Sequence, residues 1–248
     1  MRYRTLILAG AGFWLGLAGC DRSPSLELHA QARQPMLGDD LVVDNETITL
    51  SGLHRYDSIR VINGGVIDVA DYDGDPNSGR LILEARERIE IDASSSINAN
   101  RAGFAGGQNS DDDGAGPGGG EAGSENAGGG GGHAAPGGDG TDDNDCSETD
   151  GQGGASYGDA GLYSVSMGSG GGAAQDGESG GNGGGAVILK APQIIIAGEI
   201  LARGEDGEAN GSGWFRNDAA GGGAGGGVLL IADSLDCSGG RINVRGGD

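Results

Sequence analysis

Apolar residues recur at every second position in short runs, and the runs repeat in a fixed order. Residues 79–85 (GRLILEA) are followed by the pair Ile89 and Ile91, then by Ile97 and Ala99. Residues 185–191 (GAVILKA) are followed by Ile194 and Ile196, then Ile200 and Ala202; residues 227–232 (GVLLIA) are followed by Leu235 and Cys237, then Ile242 and Val244. An earlier copy carries Ile48 and Leu50, Ile59 and Val61, and Ile67 and Val69. Each copy ends in a polar or glycine-rich turn, such as residues 71–74 (DYDG) or 203–206 (RGED). Alternation with period two places every other side chain on one face of a strand. Three short strands per copy predict one rung of a three-faced solenoid. The chain therefore reads as all-β, a short right-handed parallel β-helix of about four rungs. Stacked rungs share one continuous core that a single rung cannot bury. The expected inward set is Leu81, Leu83, Ile89, Ile91 and Ile97 with their equivalents, and the expected outward set includes Glu84, Glu90, Asp92, Asn98 and Asn243. A β-sandwich also alternates, but explains less well why three strand types recur in one order.

Extra chain always follows the third strand, giving long excursions over residues 103–184 and 204–226. Glycine makes up 57 of 248 residues, and the first excursion holds no Lys or Arg. Two readings of these stretches stand side by side. Low hydrophobicity and high charge favour disorder. Runs such as residues 128–132 and 221–227 could instead pack as polyglycine helices, because backbones without Cβ atoms can approach closely. Order is expected beside the strands and least around residues 108–127.

The start of the chain has a different character. Arg2 and Arg4 precede an apolar stretch over residues 5–17, ending in Leu17, Ala18, Gly19 and Cys20. A basic start, a short apolar core and small residues before a cut site predict a secretory signal peptide. The stretch is too short for a membrane span of about 20 residues. The four final residues resemble a bacterial lipobox, which implies cleavage before Cys20 and acylation of that cysteine. The expected organisation is a signal peptide over 1–19, a lipidated N-terminus and tether over 20–46, and a glycine-rich solenoid domain over 47–248. Acyl chains would hold the protein on a bacterial cell membrane, facing the periplasm or the cell exterior.

Formal net charge is −22, and more negative still once Arg2 and Arg4 leave with the leader. Such a surface excludes nucleic acid, whose binding needs basic clusters. With Cys20 acylated, Cys146 and Cys237 remain, either as a disulfide in an oxidising compartment or with Cys237 as a small buried apolar residue. Asp71, Asp73, Asp75 and Asn77 alternate oxygen ligands in a turn, and Asp142 and Asp145 lie in a second acidic stretch; both are candidate calcium sites or solvated acidic loops. Trp214 and Phe215 form an aromatic pair in a loop and are a candidate contact site. His29, His54 and His133 are dispersed, and no Ser elbow, phosphate loop or dinucleotide fingerprint occurs.

Residues 183–204 (GGGAVILKAPQIIIAGEILARG) set a rhythm that resembles glycine-rich repeat lipoproteins and surface proteins of myxobacteria and their relatives. The resemblance covers residues 79–248. It implies a cell-envelope location and a β-helical build, and it carries over no functional residue. The glycine runs also resemble polyglycine regions of phage tail adhesins, which implies recognition. The expected role is non-enzymatic, structural or adhesive, towards polysaccharide or another envelope protein, with a polysaccharide-acting lyase or hydrolase as the enzymatic alternative. An uncovered last rung would leave an open sheet edge, so end-to-end self-association, a docked partner or capping by residues 103–184 is expected there.

Overall fold

The computed structural model describes residues 39–124, 127–141, 150–158, 165–209 and 219–248. Among these residues there are twelve strands and no helix. They are β1 (Leu41–Asp44), β2 (Thr47–Leu50), β3 (Gly52–Ile62), β4 (Val66–Val69), β5 (Arg80–Ile91), β6 (Ser96–Asn98), β7 (Ala186–Lys190), β8 (Gln193–Ile196), β9 (Glu199–Leu201), β10 (Gly227–Ile231), β11 (Ser234–Asp236) and β12 (Arg241–Asn243). A seven-stranded sheet runs β1-β3-β5-β7-β10, with β8 also on β5 and β11 on β8. A five-stranded sheet runs β12-β9-β6-β4-β2. Every pairing between named strands is parallel.

The all-β class holds, but the expected three-faced right-handed β-helix does not form. The chain builds two parallel sheets of seven and five strands. The first and second apolar runs of a copy do not take separate faces. In the copy that starts at residue 79 they join in one strand of twelve residues, β5. In the earlier copy Ile59 and Val61 lie in the eleven-residue β3, whose first half pairs with the first half of β5. Ile48 and Leu50, expected as that copy's first run, form β2 beside β4 in the five-stranded sheet. The linking residues Arg86, Glu87 and Arg88 include no glycine or proline, so nothing breaks the extended backbone there. Strand β3 absorbs the mismatch as a register shift between Tyr56 and Ser58. In the next copy Pro192 separates β7 from β8, since proline lacks the N–H that a continuous ladder needs. The third runs, with β2 added at one edge, form the second sheet.

The core is built from the inner positions of both sheets. Leu81, Leu83, Ile89, Ile91 and Ile97 are fully buried, as are Leu189, Ile194 and Ile200 in the following copy. Each such side chain contributes about 1.5–3 kcal/mol relative to exposure. One boundary and one burial pattern differ from expectation. Leu41–Asp44, assigned to the tether, forms β1, and its Val43 is fully buried against the core. In the last copy Asn243 is buried, while Leu235, Ile242 and Val244 are exposed, because no further tier of the described residues covers their inner faces. Cys237 is exposed too, which removes the reading of it as a buried apolar residue.

The described parts of both glycine-rich excursions are packed segments bonded laterally through the backbone. Gly103 N–H donates to the Gly183 carbonyl, Gly107 to Gly171, Gly171 to Gly181, Gly181 to Gly221 and Gly131 to Gly222. A Cβ on Gly106 would stand 2.0 Å from the Gly180 carbonyl oxygen, and one on Gly183 would stand 1.9 Å from that of Gly168. No real Cβ tolerates such distances, so only glycine permits this approach. Residues 108–124, where least order was expected, belong to the same network: Gly114 donates to Gly120, and Gly120 to Gly170. Lateral hydrogen bonds satisfy the buried backbone and offset the high ordering entropy of glycine.

Candidate functional site

Among the described residues, strands β10, β11 and β12 are the last members of their ladders, so three parallel edges lie at one end of the two sheets. Leu235 is 52% exposed, Ile242 42% and Val244 44%. A pocket of about 780 Å³ opens beside Ile242 and Val244. Val228, Leu230, Ile242 and Val244 line its strand side; His133, Pro136, Tyr157, Val165 and Ser166 line its glycine-rich side. Its walls are therefore mainly apolar, with one convergent polar group.

That group is centred on His133. Its Nδ1 lies 2.8 Å from the Gly225 carbonyl oxygen, and its Nε2 lies 2.8 Å from Ser166 Oγ. A carbonyl can only accept, so Nδ1 carries a proton; when the ring is neutral, Nε2 is then the acceptor for the Ser166 hydroxyl. The Tyr157 ring packs at 5.0 Å from the His133 ring. The Tyr157 hydroxyl donates to the Met167 carbonyl and accepts from Ser169 Oγ at 3.0 Å. Ser169, fully buried, in turn accepts the Gly118 N–H at 3.0 Å. Burial pushes the Tyr157 phenol above its ordinary pKa, against a smaller lowering by Ser169. The phenol stays protonated and clamps the pocket floor to the glycine network.

In the acidic turn the side-chain oxygens bond within the turn itself. Asp73 Oδ1 accepts from Ser78 Oγ at 2.7 Å and from the Asp75 N–H, while Asp75 Oδ1 accepts the Asn77 N–H at 2.7 Å. Chiefly through the Ser78 hydroxyl, these bonds hold the Asp73 carboxyl below its usual pKa. The oxygens of Asp73 and Asp75 serve their own turn. Asp71 is exposed beside them, and no group of three His, Cys, Asp or Glu able to hold a metal occurs among the described residues. Asp142 and Asp145 lie outside the described residues, as do Cys20, Cys146, Trp214 and Phe215. Cys237 carries a free thiol, and its expected disulfide partner is that same Cys146. Outward charges on the large sheet neutralise one another: Glu84 takes Arg55 Nε at 2.8 Å on one side and Lys190 Nζ at 3.5 Å on the other.

Sequence reasoning missed the pairing of His133 with Ser166. The available signal was a lone imidazole in an excursion without Lys or Arg. No family model matches the chain, and neither a curated protein nor a solved structure does.

Proposed function

We propose that this is a lipid-anchored cell-envelope protein whose work is binding, in a structural or adhesive role, through the open end at β10, β11 and β12. The observation that carries the reading is the meeting there of three strand edges, uncovered apolar side chains and a pocket. A lone exposed leucine needs no explanation, whereas apolar side chains clustered around a concave site mark an interaction surface. The interlocked glycine network holds the pocket rim in place, so little ordering entropy is left to lose on binding. The motif ending in Cys20 supports the anchor. Partners of matching chemistry are another envelope protein or a polysaccharide. The test has two arms. Palmitate labelling and membrane fractionation should both be lost in Cys20→Ala. Binding in a glycan array and an envelope-protein overlay should be lost in Leu235→Lys/Ile242→Lys while lipidation persists. Binding that survives this double change would overturn the docking face.

A second reading rests on Ser166 Oγ and His133 Nε2. An accepting base 2.8 Å from a hydroxyl, with its other nitrogen held by a carbonyl, is the arrangement of a nucleophile–base pair. The apolar wall suits a small acyl ester. Ser166 Oγ would attack the ester carbonyl as its proton passes to His133. The leaving alkoxide would take that proton, and water would then release the acid. Labelling by a fluorophosphonate probe, lost in Ser166→Ala, would support hydrolysis; unlabelled native protein would sink it.

A further inference from the structure

We propose that the open end receives a second copy of this chain, head to tail, with β10, β11 and β12 of one copy pairing in parallel with the opposite end of the next. This deepens the docking reading and does not depend on the lipid anchor.

Both ends of the two sheets show the same three columns of strand. At the far end the terminal segments are the first half of β3, the strand β1 and the strand β2. Following the ladders tier by tier gives the register of a continued stack. Leu41 pairs with Ile59, Ile59 with Ile89, Ile89 with Ile194 and Ile194 with Leu235. Likewise Ile48, Ile67, Ile97, Ile200 and Ile242 form one column. One further step of the same translation sets Leu235 on Leu41 and Ile242 on Ile48 of the second copy. By alternation it sets Val244 on Leu50.

The apolar character matches as well as the register. Leu41, Ile48 and Leu50 are partly buried residues packed against the core at one end, and Val228 and Leu230 have the same standing at the other. Among the described residues each end thus lacks the neighbour that fully buries these positions within the chain, where Ile89, Ile97 and Ile200 are wholly covered. Stacking supplies that neighbour to both ends at once and pairs the edge N–H and C=O groups. On the inward face position 54 is a mixed contact, since Leu230 would meet His54, whose Nε2 lies 2.9 Å from the Ser51 carbonyl oxygen. Arg241, 64% exposed at its side chain, would lie over Thr47, one residue from the acidic Glu46. A contact between unlike ends does not close on itself, so it propagates as a string of copies.

Sedimentation velocity of the full chain in detergent should show mass rising with concentration. Leu235→Lys should abolish that rise without altering the circular dichroism, because Leu235 is exposed in the single copy. A pairwise test fixes the register. Val42 and Asp236 share an outward column, so in a stack their Cα atoms would lie about 4.8 Å apart, within disulfide range. In a Cys237→Ser background, mixing a Val42→Cys population with an Asp236→Cys population should give a dimer joined through those two positions, identified by peptide mass. A chain that stays monomeric into the upper micromolar range, or links only like positions, overturns the proposal. The array and overlay binding tests of the docking face are read separately, so the two failures are distinguishable.

Discussion

Leu235 lies directly beside Ile194 in a parallel ladder, yet Ile194 is fully buried and Leu235 is 52% exposed. The two residues hold the same position in successive tiers and differ only in having a neighbour on the far side. Truncation should therefore separate them. Ile194→Ala is expected to cost about 2–5 kcal/mol, the range for deleting a buried aliphatic side chain. Leu235→Ala is expected to stay within about 0.5 kcal/mol in the monomer, as at other surface positions. Urea unfolding at low protein concentration checks both. Equal costs would mean that the last tier is covered in the single chain.

Glycines in the packed network should divide sharply by what their missing Cβ would meet. At Gly106 it would lie 2.0 Å from a backbone oxygen, which cannot rotate away. Gly106→Ala is expected to destabilise by about 3 kcal/mol or more through overpacking. At Gly138 nothing lies within 4 Å. Gly138→Ala should stabilise by about 0.4–1 kcal/mol by restricting the unfolded chain. Thermal melts of the two variants give the comparison, and a similar loss in both would argue against the packing.

Acid should weaken the fold through Asp92. Burial opposes its ionisation, but the Asn63 N–H, the Ser95 hydroxyl and the hydroxyl and N–H of Ser94 together lower its pKa from 3.8 to about 2. The N–H of Asn63 lies 2.6 Å from Oδ2, so the carboxylate ties one corner to the next. A folded pKa below the unfolded one means the stabilisation is complete above the unfolded value and is lost as pH falls through the folded one. Asp92→Asn should melt earlier than the native chain above about pH 5, with the gap closing between about pH 4 and pH 2. A gap unchanged at pH 2 would show that Asp92 acts by shape and not by charge.

The inner positions were legible because alternation is a property of side chains, and Leu81, Leu83, Ile89 and Ile91 alternate without exception. The merging of two runs into β5 was less legible, since it depends on the absence of a turn former at Arg86, Glu87 and Arg88. The glycine network was the hardest to read: a residue without a side chain carries no periodicity, and Gly103 meets Gly183 across most of the excursion. The same distance hid the pocket. His133 and Ser166 are 33 residues apart, and the glycine segments beside them meet through backbone bonds such as that from the Gly172 N–H to the Gly129 carbonyl.

The pocket floor gives the last expectation. Ser169 Oγ accepts the Gly118 N–H and donates to Tyr157, and it has no exposure to water. Ser169→Ala leaves that N–H buried without an acceptor, a loss of about 1–3 kcal/mol. It also frees the Tyr157 hydroxyl from one partner while its bond to the Met167 carbonyl remains. Two readouts follow. The Gly118 amide should exchange with solvent faster relative to amides of β5, and the Tyr157 phenol should titrate higher, because the one bond that lowered its pKa is gone while burial persists. Unchanged exchange at Gly118 would show that water replaces the serine, and that the pocket floor is less closed than its packing implies.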